Sequence, residues 1–425
     1  MAAVNHLAQL AADISSNVAV LTEYIEANKL PQPSFDADGP SHPIPDDSGD
    51  AAVARAALIE ATKALHTLAV GPSETTIYFN LPELYFVGAM GTLCHYKIPQ
   101  NVPLQGSISY AELASKTGFP ENLLPRFVRM AAANYYFAEP QEGFVAHSAF
   151  SKPLAIDEKK QAAIWFRHTE LIPTVAKLID MVEQFPDSSE PTETAFHMAF
   201  GGTFFGHKET HIDHMIKFGY AMDTFTSGYS DSGEAIAKAF AWEDLPEGSL
   251  VLDIGGGTGH IAAAIAEAHP HLKFEVQDYE KLGEESKKLM ASRGLSDRVG
   301  FRVHSFFEPE PVKGAAVYFF RNIFHDWSDL YCSKFLKHVV DAMGPDSRVV
   351  ICDIVVPPVN TTSKIAASRV HALDLQMWSS FNAKERSEKD WEQLIASVDS
   401  RLTIEKVIGQ PKMRRDSLTV LQLKK

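Results

Sequence analysis

A histidine and an aspartate stand side by side in the stretch RNIFHDWSD, residues 321–329. The apolar run AAVYFF precedes it and predicts a buried strand, so His325 and Asp326 follow the point where that strand meets solvent. An imidazole with an ordinary pKa near ~6.5 exchanges protons with hydroxyl groups close to neutral pH. The stretch is therefore a candidate proton-transfer site. The alternative is a polar loop that only caps the following helix.

A glycine-rich turn, VLDIGGGTGH, follows another apolar run and opens a helical pattern. The turn contains Asp253 followed by Gly255, Gly257 and Gly259, without the Lys-Ser or Lys-Thr pair of a phosphate-binding loop. Glycines let a backbone approach a ligand closely, and the acid before them suits an ammonium group. The next apolar run, KFEVQDY, ends in Asp278, whose carboxylate can accept bonds from two ribose hydroxyls. Together these residues fit S-adenosylmethionine; the alternative is a turn that serves only helix–strand packing.

Both candidate sites belong to one alternating pattern that begins at Ser249. Short apolar runs rich in β-forming residues alternate with helical stretches, which predicts an α/β domain with a mostly parallel sheet. The last two runs, TIEKVIG and SLTVLQL, are joined by only a few residues and should pair antiparallel. Because strands of a parallel sheet end at one edge, we expect the glycine turn and His325 to lie close together.

The rest of the chain divides by composition and periodicity. We predict an N-terminal amphipathic helix over residues 1–30, a proline-rich linker over 31–50 and a small winged-helix-like module over 51–155. Residues 156–245 form a helical connector rich in aromatic residues, some of which are candidates to line an apolar pocket. The α/β domain then covers 246–425. A detached amphipathic helix must cover its apolar face, and a second copy of the chain is a natural partner.

Composition excludes several classes of partner. The formal net charge over 425 residues is −15, which argues against nucleic acid or an anionic membrane surface as partner. In the winged-helix-like module, the stretch NLLPRFVRMAAANYY offers only Arg126 and Arg129 as cations, too few for DNA. Three cysteines without metal or redox spacing, and no apolar run of ~20 residues, fit a reduced cytoplasmic protein that does not span a membrane. We predict no metal site.

The stretches LDIGGGTGH, FFRNIFHDWSD and NAKERSEKDW resemble a fungal branch of the plant-type small-molecule O-methyltransferases. The resemblance covers nearly the whole chain. It implies a Rossmann-like class I methyltransferase domain at the C-terminus, preceded by a mainly helical, winged-helix-like region through which the protein forms a homodimer. It also implies that His325 is the general base, that Glu385 orients it and that Asp353 is a supporting acid.

The same resemblance implies a cofactor site at the edge of the sheet. S-adenosylmethionine, or its demethylated form S-adenosylhomocysteine, would contact Gly255, Gly257, Asp278, Ser305, Phe306 and Arg321. Ser305 stands where the family commonly has an acid, which weakens one expected contact on the adenine side without abolishing binding.

The whole chain is also similar to pericyclases built on this fold, from fungal 2-pyridone alkaloid pathways. These enzymes assist dehydration of an alcohol to a quinone methide and then steer an Alder-ene or hetero-Diels–Alder closure. Met413, Lys337 and Asp326 are then candidate substrate contacts. Met413 lies in the turn between the last two strands, where a flexible thioether could shape a pocket. Lys337 could polarise a carbonyl, but its place within an amphipathic helix favours a solvated lysine.

Three hypotheses follow from the sequence. The first is a pericyclase that uses bound S-adenosylmethionine as a fixed charge, with His325 serving the dehydration. The second is an O-methyltransferase that methylates a phenol or enol oxygen. The third is a non-catalytic dimer that acts as a scaffold. For the two enzymes we expect a small apolar aromatic or pyridone metabolite as substrate.

Overall fold

The structure of the protein is a computed structural model that describes residues 6–45, 48–78, 80–229, 233–409 and 416–424. The chain divides into two compact units. The first unit comprises residues 1–172, 216–222 and 363–365. The second unit comprises residues 173–215, 223–362 and 366–425. Within the described ranges, no helix combines the length and apolar character needed to cross a membrane.

The first part of the chain is mainly helical. Its helices are α1 (His6–Ala27), α2 (Asp50–Tyr78), α3 (Leu81–His95), α4 (Ile98–Asn101), α5 (Tyr110–Thr117), α6 (Leu124–Ala132), α7 (Lys152–Ile156) and α8 (Glu158–Phe166). Its strands are β1 (Ser107–Ser109), β2 (Ala138–Gln141) and β3 (Phe144–Ala146), which form an antiparallel sheet in the order β1-β3-β2. A π-helical segment at Arg167–Leu171 follows α8.

The predicted order of helix, turn, helix and hairpin is present as α5, α6 and the β2–β3 pair. Ser109 begins α5 by accepting a hydrogen bond from the backbone of Glu112, and Gly118 ends it in the left-handed conformation. Leu124, Val128 and Ala131 recur along α6 at spacings of four and three residues and are all buried on one face. These local signals explain why sequence periodicity located the two helices.

The rest of the chain alternates helices and strands. Its helices are α9 (Ile172–Val175), α10 (Leu178–Gln184), α11 (Ala195–Phe200), α12 (Phe204–Thr210), α13 (Ile212–Tyr229), α14 (Gly233–Ala239), α15 (His260–Ala268), α16 (Gly283–Ser292), α17 (Asp329–Val340), α18 (Lys364–Phe381) and α19 (Glu388–Val398). Its strands are β4 (Leu250–Ile254), β5 (Lys273–Asp278), β6 (Val299–Val303), β7 (Val317–Arg321), β8 (Arg348–Asp353), β9 (Val355–Val356), β10 (Arg386–Ser387), β11 (Leu402–Ile408) and β12 (Ser417–Leu423).

Seven of these strands form one sheet in the order β11-β12-β8-β7-β4-β5-β6. All neighbours pair parallel except β12, which is antiparallel to both β8 and β11. The predicted mostly parallel sheet with an antiparallel end is therefore confirmed. Because β12 runs opposite to its two neighbours, β11 is parallel to the rest. The end of β11 and the start of β12 consequently lie at the carboxyl edge of the sheet.

Both faces of this sheet are buried. Along β7, Val317 and Phe319 join one hydrophobic cluster, whereas Tyr318 and Phe320 join the other. This alternation, with buried side chains on both faces, is typical of a parallel strand covered by helices on both sides. The polar residues that follow such strands are thereby confined to the two edges of the sheet.

Candidate active site

The carboxyl edge collects the residues that the sequence singled out for chemistry. Strands β4, β5, β7 and β8 are neighbours, and their register places Ile254 beside Gln277 and Phe320, and Arg321 beside Cys352. The glycine turn after β4, Asp278 at the end of β5 and the His325 segment after β7 therefore share one edge. Ligands of open α/β sheets bind at this edge.

The glycine turn has the form that a closely approaching ligand needs. Gly255 and Gly257 have φ angles of 72° and 62°, which favour glycine. A methyl group added at Gly255 would lie 2.5 Å from Cδ1 of Ile323, whereas one added at Gly257 would meet no described atom within 4 Å. The backbone at Gly257 therefore borders open space, into which a ligand could come without a side chain in its way.

Two acids flank that open space. Asp253 is 2% exposed, and its Oδ2 has no hydrogen-bond partner among the described residues. Burial raises the pKa of Asp253 to about 7, with Asp278 adding to the shift and Arg321 opposing it. Asp278 accepts hydrogen bonds from the N–H groups of Gly257 at 2.8 Å and Tyr279 at 2.7 Å. A buried acid with one oxygen that has no partner in the described ranges, an open glycine and a second carboxylate fit an amino-acid nucleoside with positive charge.

The loop after β6 borders the same edge. The backbone N–H of His304 donates to the carbonyl of Asp278 at 3.3 Å, which fixes the loop beside β5. Ser305 is exposed, and its hydroxyl accepts from the N–H of Phe307. The ring of Phe306 lies 3.7 Å from the position of a β-carbon on Gly255. The predicted cofactor residues are thus gathered around the glycine turn.

His325 lies in a short 3-10 turn, Phe324–Asp326, directly after β7. Its Nδ1 donates to Oε1 of Glu385 at 3.0 Å, and its Nε2 lies 3.6 Å from Oδ1 of Asp326. The side chain of Glu385 is fully covered, whereas 13% of the His325 side chain stays exposed. The structure therefore brings the predicted base and its orienting acid together across a long stretch of chain.

The charge state of His325 differs from the sequence expectation. Burial by itself lowers the pKa of His325, but the carboxylates of Asp326, Glu385 and Asp353 outweigh burial and raise it to about 10. Burial raises the pKa of Asp353 to about 7, with Glu385 adding to the shift. The pKa of His325 is therefore raised above the ordinary imidazole value near ~6.5. Three carboxyl groups around one imidazole retain a proton there.

Beside the expected supporting acid Asp353 lies a second acid, Asp416, which the sequence analysis did not identify. Asp353 ends β8, is 2% exposed, and neither of its carboxyl oxygens has a hydrogen-bond partner in the described ranges. Ser417 at the start of β12 pairs with Asp353, so Asp416 stands next to this position and is equally buried. The charge of Asp416 contributes to the raised pKa of Asp353. No local pattern predicts this neighbour, because it depends on the register of β12 against β8.

Aromatic rings surround Trp327, two residues after His325. Phe307 lies 4.7 Å away between ring centroids, Phe306 6.1 Å and Phe205 6.4 Å. Phe205 also contacts Phe381 at 5.4 Å. We call Phe205, Phe306, Phe307, Trp327 and Phe381 the aromatic wall. The wall includes Phe205 from the aromatic-rich connector, where the sequence alone could not separate pocket residues from core.

One candidate substrate contact lies away from this cluster. Lys337 is exposed on α17, and its Nζ contacts Asp341 at 2.6 Å and Asp399 at 3.5 Å. Buried Leu336, Val339 and Val340 form the apolar face of the helix. This placement fits the solvated alternative. Met413 lies outside the described residues. Among the residues that the structure describes, no group of acids, histidines and cysteines is arranged to hold a metal ion.

Comparison with known proteins identifies the family. Residues 177–399, just over half of the chain, match the model of the O-methyltransferase domain. The chain is also 36% identical to the O-methyltransferase aurJ of Gibberella zeae, over 97% of both proteins. The chain belongs to the O-methyltransferase family. It is therefore an enzyme of a family whose cofactor is S-adenosylmethionine, and the residues around the glycine turn fit that cofactor.

Solved structures share the fold. OxaC in complex with SAH and oxaline has a TM-score of 0.78 and 22% identity, and the match covers 99% of this chain and all of OxaC. A structure described as a pericyclic reaction enzyme has a TM-score of 0.70 and 25% identity, covering 87% of this chain and 94% of that one. The predicted fold, a helical N-terminal region followed by a class I methyltransferase domain, is confirmed.

Proposed function

We propose that this protein is a pericyclase on the O-methyltransferase fold. It promotes dehydration of a 2-pyridone alcohol to a quinone methide and then hetero-Diels–Alder or Alder-ene closure. The observation that supports this proposal most is that three carboxyl groups, those of Glu385, Asp326 and Asp353, act on the single imidazole of His325. The likeness to a pericyclic reaction enzyme at 25% identity points the same way.

Dehydration needs a proton donor and a proton acceptor. Glu385 holds Nδ1 of His325, so Nε2 is the nitrogen that can give a proton to the leaving hydroxyl. The carbon–oxygen bond breaks and water leaves, while the acidic proton of the pyridone passes to the carboxylate of Asp326. The site gains one proton for each that it gives, and a neutral quinone methide remains. Its closure then exchanges no proton with the protein: the hetero-Diels–Alder closure moves no hydrogen, and the Alder-ene closure shifts one hydrogen within the substrate.

The aromatic wall and the cofactor complete this proposal. Flat apolar rings beside Trp327 suit a conjugated pyridone and the alkyl chain that folds back onto it. When bound, S-adenosylmethionine supplies a fixed positive charge in this reaction, or a transferable methyl group in the alternative below. Asp253, Gly257 and Asp278 would hold it. Positive charge near a pyridone carbonyl stabilises charge that develops there in the transition state.

An O-methyltransferase acting on a phenol or enol is the second candidate. The observation that favours it is the hydrogen bond of 3.0 Å between His325 and Glu385, which is the arrangement of a general base and its orienting acid. Relatives such as aurJ carry the name O-methyltransferase at 36% identity. In this reaction His325 must first release its proton before it can accept one from the substrate hydroxyl.

One incubation separates the two reactions. Purified protein, S-adenosylmethionine and a 2-pyridone alcohol are combined, and products are followed by chromatography with mass detection. The pericyclase proposal expects a cyclised, dehydrated product in a ratio of isomers that differs from the uncatalysed mixture, with the cofactor unconsumed. S-adenosylhomocysteine together with a product heavier by one methyl group would overturn it in favour of methyl transfer. A parallel incubation with S-adenosylhomocysteine in place of the cofactor tests the need for positive charge.

A further inference from the structure

Arg386 is a buried guanidinium that neither proposed reaction uses. It directly follows Glu385 and is 1% exposed. Burying a charge is costly unless it is paired and hydrogen-bonded, so the partners of such a group indicate its role. All the partners described below lie in the second unit, next to His325.

The guanidinium of Arg386 forms hydrogen bonds to the turn that contains His325. Nη1 of Arg386 donates to the carbonyl of Phe324 at 2.7 Å, and Nη2 donates to the carbonyl of Trp327 at 2.8 Å. These two carbonyls stand on either side of His325 and Asp326. The Nε of Arg386 donates to Oδ1 of Asp329 at 2.9 Å. One planar group therefore holds both ends of the turn and the first residue of α17.

The turn is also held by the buried ring of Phe324 and by the N–H of Asp326, which donates to the carbonyl of Ile323 at 3.1 Å, but its own closure is weak. It contains three residues, and its closing bond, from the N–H of Trp327 to the carbonyl of Phe324, is 3.3 Å long. A single 3-10 turn has poor hydrogen-bond geometry. Asn322, just before it, has a φ of 53°, in the left-handed region. The fork of a guanidinium can fix two carbonyls at once, which a lysine ammonium does less well.

The backbone of Arg386 is anchored as well. Strand β10 pairs parallel with β9, and this places Arg386 beside Val355, two residues after Asp353. The segment containing Glu385 and Arg386 is thus fixed to the end of β8. From this anchor Glu385 reaches the imidazole of His325, while Arg386 reaches the backbone around it.

We propose that Arg386 is a positioning residue, which holds the Phe324–Asp326 turn so that His325 meets Glu385. This inference rests on the proposed role of His325 in proton transfer. It differs from a purely structural role in one respect: loss of the guanidinium should alter the protonation of His325, not only the stability of the fold.

The test uses two variants and one control in the full-length protein. Arg386→Lys keeps the positive charge but loses the planar guanidinium that donates to two carbonyls at once. Asp329→Asn removes the charge of the acid that accepts a hydrogen bond from Nε of Arg386. The side chain of Asp329 is 45% exposed, so this substitution should disturb folding less than one at Arg386. Arg348→Lys is the control, because Arg348 also pairs with an acid, Glu405, but lies at the amino end of β8. Each protein is assayed for melting temperature, S-adenosylmethionine affinity, turnover and NMR titration of isotope-labelled histidines.

Arg386→Lys should lose about 100-fold in kcat, with KM and cofactor affinity within about 2-fold of the wild type. The pKa of His325 should fall, because its imidazole is no longer held within hydrogen-bond distance of Glu385. Asp329→Asn should show a smaller loss in the same direction, and Arg348→Lys neither change. A folded Arg386→Lys protein with wild-type turnover and His325 titration would overturn the proposal.

Two further outcomes also test the proposal. If Arg386→Lys does not fold, Asp329→Asn decides: an unshifted His325 titration in that variant overturns the proposal. If His325→Ala retains full turnover, the proposed function fails, yet the titration of His325 in Arg386→Lys still tests whether Arg386 positions the imidazole.

Discussion

The imidazole of His325 and the carboxylate of Glu385 are joined by a hydrogen bond of 3.0 Å, although sixty residues separate them in the chain. His325 follows β7, and Glu385 follows α18 and precedes β10. The sheet fixes the first, and the pairing of β10 with β9 fixes the second. The pair is therefore a property of the folded domain, and its charge balance leads to the predictions below.

Glu385→Gln keeps the size and one hydrogen-bonding oxygen of the side chain but removes its charge. The pKa of His325 should fall from its raised value, because a carboxylate that opposes the effect of burial is lost. If imidazolium is the proton donor, turnover should then decline at a lower pH than in the wild type. The pH profile of kcat measures this. Glu392→Gln, on the exposed side of α19, is the control. An unshifted profile would contradict the prediction.

His325→Ala should reduce turnover by about 1,000-fold while leaving the affinity for S-adenosylmethionine within about 2-fold. The imidazole moves protons, whereas the expected cofactor contacts are around the glycine turn. Product formation and calorimetric titration of the cofactor give the two values. His338→Ala, near the end of α17, is the matched control and should resemble the wild type. A His325→Ala protein as active as the control removes His325 from the mechanism.

Gly257→Ala and Gly248→Ala test the cofactor edge. Both glycines have positive φ angles, 62° and 75°, and neither would bring a methyl group within 4 Å of a described atom. Each substitution should therefore destabilise the protein by a similar ~1 kcal/mol of backbone strain. Only Gly257→Ala should weaken S-adenosylmethionine binding, by about 10-fold, because its methyl enters the space beside Asp278. Equal cofactor affinities for the two variants would disprove this placement.

Asp353→Asn should change how stability depends on pH. Burial raises the pKa of Asp353 from 3.8 to about 7. Between these values the folded protein retains a proton that the unfolded chain has released, so stability falls as pH rises through this window. Asparagine cannot ionise, so the variant should melt at a higher temperature than the wild type above pH ~7, while turnover declines. Scans across pH measure this, with exposed Asp297→Asn as control. Parallel melting curves would contradict it.

The homodimer remains a prediction from family resemblance. Helix α1 packs against α2, yet Leu7 and Val18 stay 49% and 44% exposed, and Ile25 is its one residue buried in the described range. A second copy that covers these residues should give a particle of twice the chain mass in light scattering. Val18→Glu should shift the mass toward the monomer, whereas Gln9→Glu should not. A monomer for the wild type at micromolar concentration would end this proposal.

The sequence located the parts of the site that depend on neighbours in the chain. Apolar runs and glycine-rich turns are local signals. The sequence therefore predicted the α/β alternation, the turn at Gly255 and Gly257, and the position of His325 after a strand. The helices α5 and α6 followed for the same reason, because capping and apolar spacing act within a few residues.

Tertiary structure decided what the residues do together. The hydrogen bond between His325 and Glu385, the nearness of Asp416 to Asp353 and the hydrogen bonds of Arg386 to the His325 turn all join residues more than fifty positions apart. Burial and distance set these effects, and both arise from strand register and packing, which no local pattern contains. The sequence by itself thus placed the glycine turn, Asp278 and His325 after strands of one sheet, and the fold determined which acids surround His325.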